Sequence, residues 1–265
     1  MSSHVYRTLG IGLVLVPTVL LSTPSLAQDI SGRETIPATT HQAEPTWKGA
    51  LTDSLRLLML EHAGRIVFQS KTRRELGGPF VRDYVNSVRW PGTWGDGDDW
   101  PVNYVGHPVH GASAGFIWLD HEVGAHDPAM GFSRGYWASR ARATAWAAAY
   151  SFQFEFGPLS EASIGNVGMR PNTTGWVDHV VTPAGALGFI VAEDAVDRYV
   201  ITAIESWTGN RAVQGFVRTL FNPSRSLSNV VQGRTPWFRA QRSLGREPRR
   251  RVSLSPDPST PNAQP

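Results

Sequence analysis

The stretch NYVGHPVHGASAGFIWLDHE, residues 103–122, decides how the fold is read. Two readings compete inside it. Gly111-Ala112-Ser113-Ala114-Gly115 fits Gly-x-Ser-x-Gly, the nucleophile-elbow pattern of serine hydrolases, which has mechanical meaning only where a strand turns sharply into a helix at the serine. That elbow needs a strand through Val105 to Ala112, and Gly106, Pro108 and Gly111 all oppose one. Pro108 instead suits the first turn of a helix, where its missing N–H costs nothing. On such a helix Gly111 and Gly115, four apart, share a face that lets a second helix approach closely, and Ala184 and Gly188 repeat the spacing farther on. The stretch is therefore read as a helix from about Pro108 to Glu122. Its glycines form a packing surface, and Ser113 is the nucleophile of an alternative, serine-hydrolase reading.

Working outward, helical periodicity recurs. Leu51, Leu55, Leu58, Met59, His62, Ile66 and Val67 predict a helix over about 51–72, with Thr52 or Asp53 as cap. An aromatic and alanine-rich helix is expected over 135–156. Another is expected over 182–206, with Thr182 as N-cap, Pro183 as first helical residue and Asp194 placed to pair with Arg198. A fifth spans about 211–221 and is stopped by Asn222-Pro223. Residues 90–101 (WPGTWGDGDDWP) read as an irregular loop. No series of alternating strands and no internal repeat is found. The predicted fold is all-α: a compact bundle of about five helices with long irregular loops and disordered termini. Ala143–Tyr150 and Val180–Ala192 carry no charge, but each is too short to span a bilayer alone. The charged residues around them favour a bundle in water over one dipping into a membrane.

The first residues read as an address. Arg7, the apolar run Leu9–Leu21 and the small residues of Ser25-Leu26-Ala27 form a secretory signal peptide over 1–27, cleaved after Ala27. Residues 28–46 read as a disordered leader, 47–238 as one helical domain, and 239–265 as a basic, Pro/Ser-rich disordered tail. There is no cysteine, so thiolate catalysis and thiolate metal sites are excluded. Seven of the 25 basic residues lie from Arg234 onward, against two of the 22 acidic ones, which leaves residues 28–233 with a net charge of −3. That distribution argues against a nucleic-acid partner, which needs a basic face, and leaves envelope lipid or a membrane surface as the candidate partner.

The polar residues supply the candidate chemistry. His107 and His110 stand three apart and can face the same way on a helical turn, with Asp120, His121 and Glu122 one short helix later. Imidazole with carboxylate can bind zinc or another divalent ion, which makes His107, His110 and Glu161 candidate ligands. Glu155 sits among aromatic residues and needs a partner such as Arg140, Arg142 or a histidine; with Asp178, His107 and His110 it is a catalytic candidate. Trp90, Trp94, Asp96, Asp98, Asp99 and Trp100 could bind a sugar or pin a loop to the body, and the pinning reading is preferred.

Asn103-x-x-x-His107-Pro108-x-x-Gly111, then Phe154-Glu155-Phe156 leading to Ser160, then Asp178-x-x-x-Thr182-Pro183-x-Gly185 and Glu193 resemble an exported bacterial family, the domain of unknown function 3943, over about residues 98–200. The resemblance implies an envelope location and motif residues lying near one another; it implies no activity, cofactor or substrate. The leading expectation is an exported helical envelope protein that binds or scaffolds, with apposition to a membrane as one option. The alternative is a hydrolase, metal- or serine-dependent, built on the His107/His110 region. The cofactor is unknown.

Overall fold

A helix whose every face is apolar has to be surrounded, and the 107–119 segment is such a helix. The computed structural model describes residues 47–68, 70–76, 80–87, 93–96, 98–122, 130–163 and 175–245. They fall in one compact unit, residues 42–265. The residues read as signal peptide and leader, the end of the tail and Trp90 lie outside the described residues.

Nine α-helices occur among them: α1 Trp47–Phe68, α2 Ser70–Glu75, α3 Phe80–Ser87, α4 His107–His121, α5 Arg134–Phe156, α6 Trp176–Val196, α7 Thr202–Trp207, α8 Arg211–Phe221 and α9 Pro223–Val231. No strand is present among the described residues; Thr93 and Gly175 form an isolated bridge. The all-α expectation holds, with more elements than five. The first predicted helix is divided into α1 and α2. Asn222-Pro223 does end α8, but Pro223 then opens α9 from the first helical turn, where a proline's missing N–H costs nothing.

α4 is the central rod. Ala112, Phe116 and Leu119 pack with Ala143 and Ala147 of α5 and Ala186 and Ile190 of α6. Ala114 and Ile117 pack with Leu57 and Leu58 of α1, Tyr150 and Phe154 of α5 and Val231 of α9. A π-helical turn, Val102–Gly106, leads into it, with the His107 N–H bonded to the Val102 carbonyl. Pro108 accounts for the widened turn: it has no N–H to donate to the carbonyl four residues back, and its ring would crowd that carbonyl.

The glycines do form a packing face. A Cβ on Gly111 would meet Thr182 Cγ2 at 2.8 Å and the Thr182 carbonyl at 3.0 Å, and one on Gly115 would meet Ile190 Cδ1 at 2.6 Å. The partner ladder on α6 is Thr182, Ala186 and Ile190, stepping by four in the same direction as Gly111 and Gly115, so α4 and α6 run parallel. Ala184 and Gly188 are exposed instead, and a Cβ on Gly188 would meet nothing within 4 Å. It is Gly185 that approaches α4, against Pro108.

Thr182 is not an N-cap. α6 begins six residues earlier, at Trp176, where the loop before α4 closes it: Trp176 N–H donates to the Thr93 carbonyl at 3.0 Å and Val177 N–H to the Trp94 carbonyl at 2.9 Å. Pro183 therefore lies inside the helix, in its second turn. Through a second π turn, Asp197–Ile201, α6 continues into α7, and Trp176–Trp207 is long and apolar enough by length and composition to cross a membrane. Its acidic residues are tied to neighbouring elements. Asp194 does not pair with Arg198; it accepts from Arg140 of α5 at 2.6 and 2.9 Å, from Tyr136 at 3.0 Å and from Arg225 of α9 at 2.8 Å. Glu193 caps α9 by accepting from the N–H groups of Ser224 and Arg225. Nor is the chain free from 239 on. Arg239 is buried and pairs with Asp197, as does Arg242, so the docked body reaches at least to Gly245.

Candidate functional site

The glycine ladder fixes a distance one turn before it starts. His107 lies four residues before Gly111, and Asp178 four before Thr182. Parallel helices held together at Gly111–Thr182 therefore face His107 across to Asp178. His107 Nε2 stands 3.5 Å from Asp178 Oδ1, and Thr182 Oγ1 stands 3.5 Å from His107 Nδ1. The last turn of α5 adds Glu155. One ligand atom from each of His107, Glu155 and Asp178 lies within 4.8 Å of the others, and all three residues are buried, at 8%, 4% and 3% exposure.

Asp96 and Asn103 close the site from the loop side. Asn103 Nδ2 donates to Asp96 Oδ1 at 2.8 Å, the Asp98 N–H donates to the same oxygen at 3.1 Å, and Asp96 lies near enough to Asp178 to raise its carboxyl. Trp94 and Trp100 stay at the surface, where Trp94 Nε1 donates to Tyr104 and Trp100 stacks on that ring. The 93–100 loop thus pins itself to the body, as expected, and also supplies a buried carboxylate.

This arrangement is short of partners. Asp178 Oδ1 and Asn103 Oδ1 are buried with no hydrogen bond. Burial is the first cause that raises the carboxyls of Glu155, to about 8, and Asp178, to about 9; nearby Asp96 and Asp98 add to it for both, Glu155 adds to it for Asp178, and Arg65 opposes it for Glu155. Burial pushes the His107 imidazole down to about 3, helped by His110 and Arg65 and opposed by Asp96. A neutral imidazole thus faces two carboxyls that burial keeps protonated near neutral pH, and that would ionise readily only beside an added cation. That donor set is what a divalent cation takes.

The other candidates sort themselves around this centre. His110 ends with its ring 5.9 Å from that of His107 but bonds elsewhere: its Nδ1 is 2.9 Å from Glu61 Oε1, and Tyr150 donates to Glu61 Oε2 at 2.8 Å. Glu161 forms an ion pair with Arg65 rather than joining His107. The expected ligand set of His107, His110 and Glu161 is therefore replaced by His107, Glu155 and Asp178. The two arginines expected for Glu155 go elsewhere, Arg140 to Asp194 and Arg142 to Glu122. Ser113 is fully buried in mid-helix, its hydroxyl donating to the Val109 carbonyl at 2.8 Å, so no nucleophile elbow exists there.

Sequence reasoning missed Glu61 and Arg65, whose four-residue spacing on α1 was an available signal, and had read His62 only as part of an apolar stripe. His62 Nε2 in fact lies 2.8 Å from the carbonyl of Leu159, a non-glycine residue held at φ 61° in the turn that brings Glu161 to Arg65. Of the motif residues, Asn103, His107, Glu155, Asp178 and Thr182 converge, Pro108, Gly111, Gly115 and Gly185 set the helix contact, and Glu193 caps α9. No protein-family model matches this chain, and no curated protein or solved structure does.

Proposed function

We propose that this chain is an exported helical protein that holds one divalent transition-metal cation, zinc in kind, between α4, α5 and α6. One observation carries the reading: His107, Glu155 and Asp178 converge from three helices within 4.8 Å in a buried setting, with Asp178 Oδ1 lacking any hydrogen bond. Around zinc, with bonds of about 2.1 Å, tetrahedral ligand atoms stand about 3.4 Å apart, so a contraction of roughly 1 Å would complete the site. Asp96 is placed to orient Asp178 from behind, and the Thr182 hydroxyl lies beside the imidazole nitrogen facing away from Asp178. The ligands are buried, so the cation is held as a cross-link rather than presented to a substrate. In that role it stabilises the fold in proportion to its affinity and concentration. The signal-peptide reading supports an envelope address, and N-terminal sequencing of envelope protein is expected to begin at Gln28.

The test is metal analysis of the purified mature chain, followed by calorimetric titration of the metal-stripped protein with Zn²⁺ and Mn²⁺. One equivalent is expected to bind and to raise the melting temperature. His107→Ala and Asp178→Asn should each abolish that rise, while His110→Ala should keep it. A wild-type chain that binds no cation, or variants that bind as well as wild type, would sink the reading.

A further inference from the structure

The C-terminal third concentrates guanidinium groups where the polar centre concentrates carboxyls. Arg211 and Arg218 of α8 and Arg239 and Arg242 beyond α9 line a surface cavity of about 370 Å³, with Trp237 and Ser243 among its other walls. Two carboxylates answer these four cations. Asp197 accepts from Arg239 Nε at 3.1 Å and from Arg242 Nη2 at 2.5 Å. Glu205 accepts from Arg218 Nε at 2.5 Å and lies 3.5 Å from Arg242 Nη1. Further donors of Arg218 and Arg239 go to main-chain carbonyls of Trp237, Arg242 and Phe238, and Arg239 Nη2 donates to the Asn222 amide oxygen at 3.0 Å, which satisfies geometry but neutralises no charge. Arg211 is exposed and makes no hydrogen bond or ion pair among the described residues; its stem lies beside Gly245.

Among these six groups the cluster therefore holds two positive charges more than it balances. Arg218 and Arg239 are themselves desolvated, and Arg225 and Arg218 both press on Arg239. Uncompensated charge in a concave, partly dry wall attracts anions more strongly than the same charge in open water. The planar guanidinium fork matches two oxygens of a phosphate group. We propose that this cavity binds a phosphate-class anion through Arg211, with Arg218, Arg239 and Arg242 supplying the field, Ser243 a hydroxyl and Trp237 an apolar wall. The anion is the headgroup phosphate of an anionic lipid or a free phosphate ester. The site shares no residue with the His107 centre, so either can fail without the other.

The experiment uses the purified mature chain in two arms. One titrates inorganic phosphate by calorimetry. The other measures co-flotation with phosphatidylcholine vesicles carrying about 30% phosphatidylglycerol at low salt. At least one arm should show binding, weakened about tenfold or more by Arg211→Ala, because a charge-assisted fork is lost. Arg134→Ala, at the start of α5, should leave it unchanged. Flotation without phosphate binding assigns a lipid headgroup; phosphate binding without flotation assigns a soluble ester. Circular dichroism of Arg211→Ala checks that the exposed substitution leaves the helices formed. Absence of binding in both arms overturns the proposal. So does binding that survives Arg211→Glu, or that falls equally with Arg134→Ala.

Discussion

Two buried polar clusters lie along α6, and they differ in how well their charges are matched. Near its C-terminal end Asp194 receives two guanidinium groups and a phenol, and neighbouring Glu193 receives two backbone N–H groups. Near its N-terminal end Asp178, Asp96 and Glu155 crowd a neutral imidazole, and Asp178 Oδ1 has no hydrogen bond. The first cluster is satisfied and ties α5, α6 and α9 together. The second is in deficit, and a fold that tolerates a deficit in its interior has a reason to keep it. A buried polar group is therefore informative only once its partners have been counted.

The contrast breaks most visibly if a member of the satisfied cluster is removed. Arg140→Met leaves the buried Asp194 with one cation fewer and should cost about 3–5 kcal/mol in denaturant unfolding. Asp178→Asn, in the metal-free chain, should change stability by less than about 1 kcal/mol near neutral pH, because burial already keeps the folded carboxyl protonated and the amide replaces a neutral group of the same shape. Equal losses from the two substitutions would erase the distinction.

The helix contact that sets the His107–Asp178 separation is the next target. Gly115→Leu drives a side chain into Ile190 and should destabilise by about 1–3 kcal/mol through overpacking. Zinc affinity should fall with it, which calorimetry on the folded fraction would read.

Titration sharpens the same comparison with a smaller effect. Glu155 and Asp178 have folded values raised to about 8 and about 9, so the folded chain keeps protons that the unfolded chain has released. Their contribution to stability is fully present below about pH 4 and is lost as the pH climbs through the folded values. His107 works in the opposite sense: its folded value is depressed, so its contribution is present above about pH 6.5 and lost as the pH falls. Of these three groups only the two carboxyls act between pH 6.5 and 9. The metal-free chain should lose stability across that window, by at most roughly 1.4 kcal/mol per pH unit per group, and Asp178→Asn should reduce the slope. A flat or rising profile would contradict the reading of these carboxyls.

The smallest effect belongs to Ser113→Ala. Its hydroxyl bonds only the carbonyl one turn back, and alanine is the better helix former, so stability should move by less than about 0.5 kcal/mol. A fluorophosphonate probe should not label the wild-type serine.

The sequence showed one side of this architecture more clearly than the other. Gly106, Pro108 and Gly111 opposed a strand and so weighed against the hydrolase elbow, which stayed an alternative until Ser113 was found in mid-helix, and the glycine face of α4 was legible from its spacing. The partner ladder was not, because a search for small residues selects Ala184 and Gly188, whereas a glycine groove accepts the methyl groups of Thr182, Ala186 and Ile190 equally well. Thr182-Pro183 reads as a helix start by local rules, but backbone contacts from Thr93 and Trp94 begin α6 at Trp176. His107, Glu155 and Asp178 were each marked as chemical candidates. Their grouping was not visible, because it depends on the parallel packing of α4 and α6 and on where α5 ends. His110 looked like the partner of His107 by spacing, and only the placement of Glu61 on α1 shows where its nitrogen bonds.

The most direct measurement is anomalous diffraction at the zinc edge from crystals of the zinc-loaded mature chain. The account predicts one peak about 2.0–2.2 Å from a nitrogen of His107 and from oxygens of Glu155 and Asp178. A peak at His110 or at surface residues, with none between α4, α5 and α6, would contradict it.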